Sequence, residues 1–289
     1  MTQDFAARPW QAIDPQDHPL AARVPTMLSH EERQLYLWIS KAAPSGRGAV
    51  VDLGAFVCGS TAHLASGWQA AGHTGQIHAF DRFTASETTK ARQLYAVGIP
   101  PFAGEDILPL ARRFVLPFGG QVTLHPGTIG ASDWEGGPIE VLTLDASKTP
   151  EAMDLHARLF FPALVPGAIL IQQDFLHWRQ PWIPVQMLRL ADYFEPLVTC
   201  PEDTMVFRCL RSIPPEEVGR AAVAPMTGPE MQTALTDLAA ALSDFGTDDA
   251  FARQVATLAA NPTTRVAWKM KEPGKTDSCK EAEAPVSPA

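Results

Sequence analysis

Cysteine is scarce and scattered in this chain: Cys58, Cys200, Cys209 and Cys279, with no CxxC pair. That pattern argues against a structural zinc site and suits a reducing compartment. Runs of lysine and arginine are also missing, and 23 basic residues face 32 acidic ones, a formal charge of −9. A chain without a basic patch lacks the footprint of a DNA or anionic-membrane binder, so no nucleic-acid or membrane partner is expected. No window approaches 18 uninterrupted apolar residues, and the opening MTQDFAARPWQAIDPQD has no apolar signal core. A soluble cytoplasmic protein is the expectation. What is present is ordinary for a globular fold: 46% hydrophobic residues in a chain long enough to bury a real core.

The order of patterns along the chain predicts the architecture. Residues 1–28 are proline-rich and aperiodic, and read as an arm on the domain surface. SHEERQLYLWISKAA then starts a helix, with Ser29 as N-cap and Glu32 completing a capping box. The apolar runs GAVVDLG, GQIHAFD, VTLHPG, IEVLTLD and GAILIQQD read as strands with helices between most of them. The alternation predicts an α/β fold with a doubly wound, mainly parallel seven-stranded sheet. EPLVTC and TMVFRCL are separated only by a short turn, so the last strand is antiparallel to its neighbour. The main domain spans 29–212. A helical segment, 213–268, follows: Met231, Leu235, Leu238, Leu242 and Phe245 recur at helical spacing, then Phe251, Val255 and Leu258. These helices are expected to pack on the sheet domain or on another subunit, which leaves a homodimer open. The polar tail, 269–289, reads as disordered.

A glycine loop ends the first strand. In AVVDLGAFVCGST, Gly54 and Gly59 sit five apart and Ser60–Thr61 follow, the spacing of a phosphate-binding P-loop with Ser60 where its lysine should be. Asp52 adds negative charge just ahead of the loop, which repels phosphate but can hold an amine or a ribose hydroxyl. The dinucleotide fingerprint fails too, because Phe56 takes the place of its second glycine. Asp81 closes the next strand, where ligands of doubly wound sheets bind, and could take a ribose diol. Two acids and a lysine-free loop suit S-adenosylmethionine, whose amino group and sulfonium are cationic.

VDLGAFVCGST, AFDRF, VLTLDAS and LVPGAILIQQDF, taken together over Ser29 to Leu210, resemble the successive motifs of class I S-adenosylmethionine-dependent methyltransferases, most of all the macrocin O-methyltransferase type. The resemblance implies that Gly54, Gly59, Ser60 and Thr61 flank the methionine part of the cofactor and that Asp81 takes the ribose. It implies that Ser132, Asp133 and Trp134, in GTIGASDW, border the adenine. It also implies a magnesium ion held by acids at the fourth and fifth strand ends, which here are Asp145 and Asp174. The family shows Leu-Asp-Gly-Asp where this chain has Leu-Asp-Ala-Ser; Ser147 replaces one acid and Gln173 another, so a metal-free site is expected. His177, in QQDFLHWRQPW, or Asp174 is then the candidate general base, with Asp145 the other catalytic acid at these strand ends. Trp178 and Trp182 are candidate walls for an apolar or sugar-like acceptor. His63 and His125 read as packing residues and Arg112–Arg113 as a solvated helix face.

The function expected is an O-methyltransferase acting on a small hydroxylated acceptor, a sugar or secondary metabolite. One rival is a non-catalytic cofactor-binding protein or partner subunit, motivated by Ser147 and Gln173. The other is a nicotinamide oxidoreductase, against which Phe56 speaks.

Overall fold

The computed structural model describes residues 4–42, 45–131, 133–201 and 203–274. Seven strands form one sheet: β1 (Ala49–Leu53), β2 (Ile77–Asp81), β3 (Val122–Pro126), β4 (Ile139–Leu144), β5 (Leu164–Gln172), β6 (Phe194–Cys200) and β7 (Thr204–Cys209). Their order is β3-β2-β1-β4-β5-β7-β6, with five parallel strands and β7 running antiparallel between β5 and β6. This is the sheet expected from the apolar runs and the short turn after Cys200.

Among the described residues, ten helices connect and cover it. The first five are α1 (Pro19–Ala22), α2 (His30–Lys41), α3 (Gly59–Ala70), α4 (Glu87–Gln93) and α5 (Leu108–Val115). The others are α6 (Pro150–Phe160), α7 (Trp182–Arg189), α8 (Pro215–Arg220), α9 (Gly228–Ala241) and α10 (Asp248–Ala260). The side-chain alternation of the strands divides the core in two. Val50, Val141, Ile169 and Ile171 face α2, α3 and α5, while Val51, Leu53, Leu142, Leu144 and Leu170 face α6, α7, α9 and α10.

The described segments before α2 and after β7 are both built into this core. The segment before α2 is more than a surface arm: Phe5, Trp10, Ala21 and Val24 are buried with Tyr36 and Trp68. Trp10 is fully buried and its ring centroid lies 5.5 Å from that of Trp38. Aperiodic sequence hides such burial, because isolated 3-10 turns carry no repeat. At the other end, Met231, Leu235, Phe251 and Leu258 belong to the same apolar cluster as β4 and β5. The apolar stripes of α9 and α10 are therefore covered by this chain's own sheet domain. No helix among the described residues is long and apolar enough to cross a membrane.

The sheet also sets the place of the site. Successive strands run from β1 outward to β3 on one side and from β4 outward on the other, so β1 and β4 flank a topological switch point, where ligands of such sheets bind. The backbone there is tied strand to strand: Gly54 N donates to Phe80 O (2.9 Å), Asp145 N to Leu53 O (2.9 Å) and Gln173 N to Leu144 O (3.1 Å).

Candidate active site

A cavity of about 790 Å³ opens over these strand ends, inside the range of roughly 300–1,000 Å³ typical of small-ligand sites. Gly54 and Phe56 line it from the loop after β1, Asp81 and Arg82 from the end of β2, and Gly127, Thr128 and Ile129 from the end of β3. Asp145, Ala146 and Lys148 come from the β4 end, and Gln173 and Asp174 from the β5 end. Both chain termini contribute: Met27 and Ser29 from the approach to α2, and Trp268 from beyond α10.

The glycine loop is held in an unusual backbone. Gly54 has φ 98°, Phe56 φ 51° and Cys58 φ 70°, conformations that non-glycine residues adopt rarely and at a cost of about 1–3 kcal/mol each. Asp81 compensates, because its buried carboxylate accepts from Phe56 N (2.9 Å) and from Phe83 N (2.6 Å). Burial raises the Asp81 pKa, and those two N–H donors oppose the rise. A Cβ on Gly54 would lie 2.8 Å from the Asp145 carbonyl oxygen, and the positive φ forbids easy relief. Gly54→Ala is therefore expected to push the β1 and β4 ends apart, lowering both the melting temperature and ligand affinity. Binding calorimetry and a thermal melt check this, and an unchanged pair of values would refute it.

Several residues singled out by the sequence support the loop without lining the cavity. Asp52 is buried, and its carboxylate accepts from the hydroxyls of Ser60 (2.7 Å), Thr61 (2.5 Å) and Thr143 (2.6 Å). Burial raises its pKa against those three donors. Asp52, Ser60 and Thr61 thus satisfy one another under the loop, where the expectation had them flanking the cofactor. Gly59 faces the chain start: a Cβ there would come within 2.5 Å of Pro25 O and Thr26 Cβ. Its glycine is a packing requirement between α3 and the N-terminal segment.

The expected adenine border is also displaced. Ser132 lies outside the described residues, and Asp133 is exposed. Trp134 packs edge-on against His78 and tilts on Phe160, its indole N–H donating to Gly137 O (2.7 Å). Gly127, Thr128 and Ile129, a few residues earlier, line the cavity, and Asp133 and Trp134 do not.

The loop after β5 does not bring its aromatic residues to the cavity either. His177 stacks on Trp178, and its Nδ1 accepts from Arg179 N (3.2 Å). Burial lowers its pKa, with Asp174 opposing. Trp178 lies under the guanidinium groups of Arg179 and Arg253. Trp182 is fully buried and donates to Ser147 O (2.7 Å). The turn that begins at Asp174 aims this stretch toward α10, whose Gln254 amide donates to Phe175 O (3.0 Å) and His177 O (3.1 Å). His177, Trp178 and Trp182 are thus not among the residues that line the cavity.

What the structure does bring together is Asp145, Asp174 and Lys148. The ammonium of Lys148 donates to Asp145 Oδ1 (2.7 Å) and to Asp174 Oδ2 (2.5 Å). Burial pushes the Asp145 pKa up to about 7, with Asp174 adding to the rise and Lys148 opposing it. Burial would raise Asp174 too, but Lys148 holds it below its ordinary value. Burial alone would lower Lys148, yet the two carboxylates raise it above the ordinary lysine range. The ammonium is a fixed cation at neutral pH.

Comparison with solved structures bears on this arrangement at one level. The fold is that of the O-methyltransferase NovP. NovP aligns at TM-score 0.50 and 14% identity, over 68% of this chain and 88% of its own. The Podospora anserina methyltransferase PaMTH1, solved with SAH bound, aligns at TM-score 0.45 and 11% identity over 72% of this chain and 97% of its own. An O-methyltransferase from Bacillus cereus, also in complex with SAH, gives TM-score 0.42 and 14% identity over 73% and 93%. No family model matches this chain, and no curated protein matches it.

The residues at these strand ends do not fit the magnesium site implied by the sequence resemblance. Both carboxylates are already bonded to Lys148. Ser147, in the place of one family acid, is buried with its hydroxyl 3.0 Å from His156 Nδ1. Gln173, in the place of another, has both ends of its amide engaged: Oε1 accepts from Tyr36 Oη (2.7 Å) and Nε2 donates to Glu32. Glu32 is the capping-box residue of α2, and its Oε1 also accepts from Thr204 Oγ1 (2.7 Å). An acid at 173 would set a carboxylate against Glu32; a glutamine satisfies both neighbours.

His156 was missed by sequence reasoning and lines the cavity from α6. Burial lowers its pKa to about 4. Between about pH 6.5 and 4 the unfolded chain holds a proton on this residue and the folded chain does not. Its contribution to stability is thus complete above pH 6.5 and lost as the pH falls, by on the order of 2–3 kcal/mol. The stability difference between wild type and His156→Gln should shift by that amount from pH 7 to 4, as read by denaturant titration at each pH. A difference independent of pH would refute the assignment.

Proposed function

We propose that this protein is an S-adenosylmethionine-dependent methyltransferase acting on the oxygen of a small hydroxylated acceptor. The observation that carries the reading is the pairing of Asp81 with the lysine-free glycine loop at the switch point. A carboxylate at the β2 end favours a ribose diol, and the Gly54 loop brings backbone close without an anchor for phosphates. The NovP fold supports the same reading. Gly127, Thr128 and Ile129 would border the adenine in place of Ser132, Asp133 and Trp134.

Bound there, S-adenosylmethionine would supply an electrophilic methyl group: the O–CH3 bond forms as the S–CH3 bond breaks, and the sulfur keeps the electron pair. The chain's part is to hold the acceptor and take its proton. Asp145 is the candidate proton acceptor, since burial raises its pKa while Lys148 holds that of Asp174 below its ordinary value. Met27 and Trp268, at the cavity wall, would cover the apolar body of the acceptor.

The test is calorimetric titration with S-adenosylmethionine and its demethylated product, followed by methyl transfer to a panel of phenolic, sugar and aliphatic alcohol acceptors. Micromolar affinity, about 8 kcal/mol, is expected. Absence of binding would overturn the reading, and binding of NADH in its place would favour an oxidoreductase.

A further inference from the structure

The three charges at the β4 and β5 ends form a closed set. Asp145 and Asp174 stand 29 residues apart in sequence, yet β4 and β5 are paired neighbours and deliver both carboxylates to one point. Lys148 reaches that point from the turn after β4 and bonds one oxygen of each. The turn is pinned behind it, because Lys148 O accepts from Ala267 N (3.0 Å) and Ser147 O from the buried Trp182 indole. The lysine backbone is therefore held from the C-terminal segment and from α7, and its short reach to both acids follows from that anchoring.

The geometry points to Lys148 as a built-in cation that stands where a divalent metal would bridge Asp145 and Asp174, so that this site works without one. The inference rests on the methyltransferase reading for its role in turnover. Two carboxylates facing one cavity repel each other unless a cation lies between them, and a single ammonium bonded to both supplies that charge. Magnesium takes one or two carboxylates and keeps several waters; here the two carboxylates are engaged and the flanking side chains, Ser147 and Gln173, are bonded elsewhere. A fixed ammonium has a further consequence. One of its three donors remains beyond the two used by the acids, and Lys148 lines the cavity.

The decisive experiment is titration of the full chain with Mn2+, followed by calorimetry and by the spin resonance of the free ion, with no cofactor or acceptor present. The wild type is expected to show no saturable binding in the millimolar range. Lys148→Ala frees both carboxylates and should gain a saturable site at least tenfold tighter, which the double variant Lys148→Ala/Asp174→Asn should lose. Lys148→Gln serves as the second variant if the alanine form does not fold. Saturable Mn2+ binding by the wild type that Asp174→Asn abolishes would overturn the inference. So would a folded Lys148→Ala or Lys148→Gln protein that gains no metal affinity. Because this readout needs no turnover, failure of S-adenosylmethionine to bind would sink the methyltransferase reading and leave the metal result standing.

Discussion

Asp81→Ala should lose most of the cofactor affinity of the protein, by a factor between about ten and a few hundred. The carboxylate is asked to do two things. It would accept from the ribose hydroxyls, charge-assisted bonds worth about 1.5–3 kcal/mol, and it fixes the loop by accepting from Phe56 N and Phe83 N. Both donors belong to residues with positive φ, 51° and 53°. Without the carboxylate their strained backbone has no compensation, and the loop relaxes away from the ligand. Asp81→Asn keeps one accepting oxygen but turns an amide toward an N–H donor, so it should fall between wild type and alanine. Titration of the three proteins with the demethylated product measures the series. Equal affinity for all three would remove Asp81 from the ribose assignment.

The same residue shows what the sequence makes legible. Asp81 ends an apolar run that could only be a buried strand, and its position at the carboxyl end follows from chain direction alone. The capping box of α2 was equally plain, since Ser29 and Glu32 interact locally, and it is present as expected. The two central strands, β1 and β4, are buried along their whole length, which made their apolar runs continuous and legible.

Residues whose role depends on tertiary approach could not be read this way. Lys148, in DASKTP, looks like a solvated loop lysine until β5 brings Asp174 beside Asp145. Its only local signal is the spacing Asp-x-x-Lys directly after a strand. Trp268 and Met27 reach the cavity from the two ends of the chain, a closeness no window of sequence reports. His177 and Trp182 illustrate the opposite error. Nearness to Asp174 in sequence suggested nearness to the site, but the turn after β5 carries them toward α10 and the core. Asp52 was a subtler case: its strand-end position is right, yet three hydroxyls from Ser60, Thr61 and Thr143 use its oxygens beneath the loop.

Ending the chain at Leu210 should abolish cooperative folding, although it keeps all seven strands. The helical segment that follows β7 reads in sequence as packing on the sheet domain or on another subunit. In the structure Met231, Leu235, Leu238, Phe251 and Leu258 are buried in the apolar cluster that contains Leu142 and Leu170 of the sheet. At about 1.5–3 kcal/mol for each large apolar side chain, these five alone approach 7–15 kcal/mol, comparable with the whole stability of a typical domain at about 5–15 kcal/mol. Polar ties add to this: Gln254 holds the β5 turn through Phe175 O and His177 O, and Ala267 N holds Lys148 O. Removal would therefore bare an apolar sheet face and release the lysine that bridges Asp145 and Asp174. Ending the chain at Gly274 is the matched control, and its melting temperature should equal that of the full chain. A cut at Met270 is less innocent, since Asn261 exchanges bonds with Lys271 N (2.8 Å) and Lys271 O (2.9 Å). Thermal melts and soluble yield of the three truncations decide the matter. A Leu210 form that stays soluble and melts cooperatively at the full-chain temperature would show that the segment is an independent appendage after all.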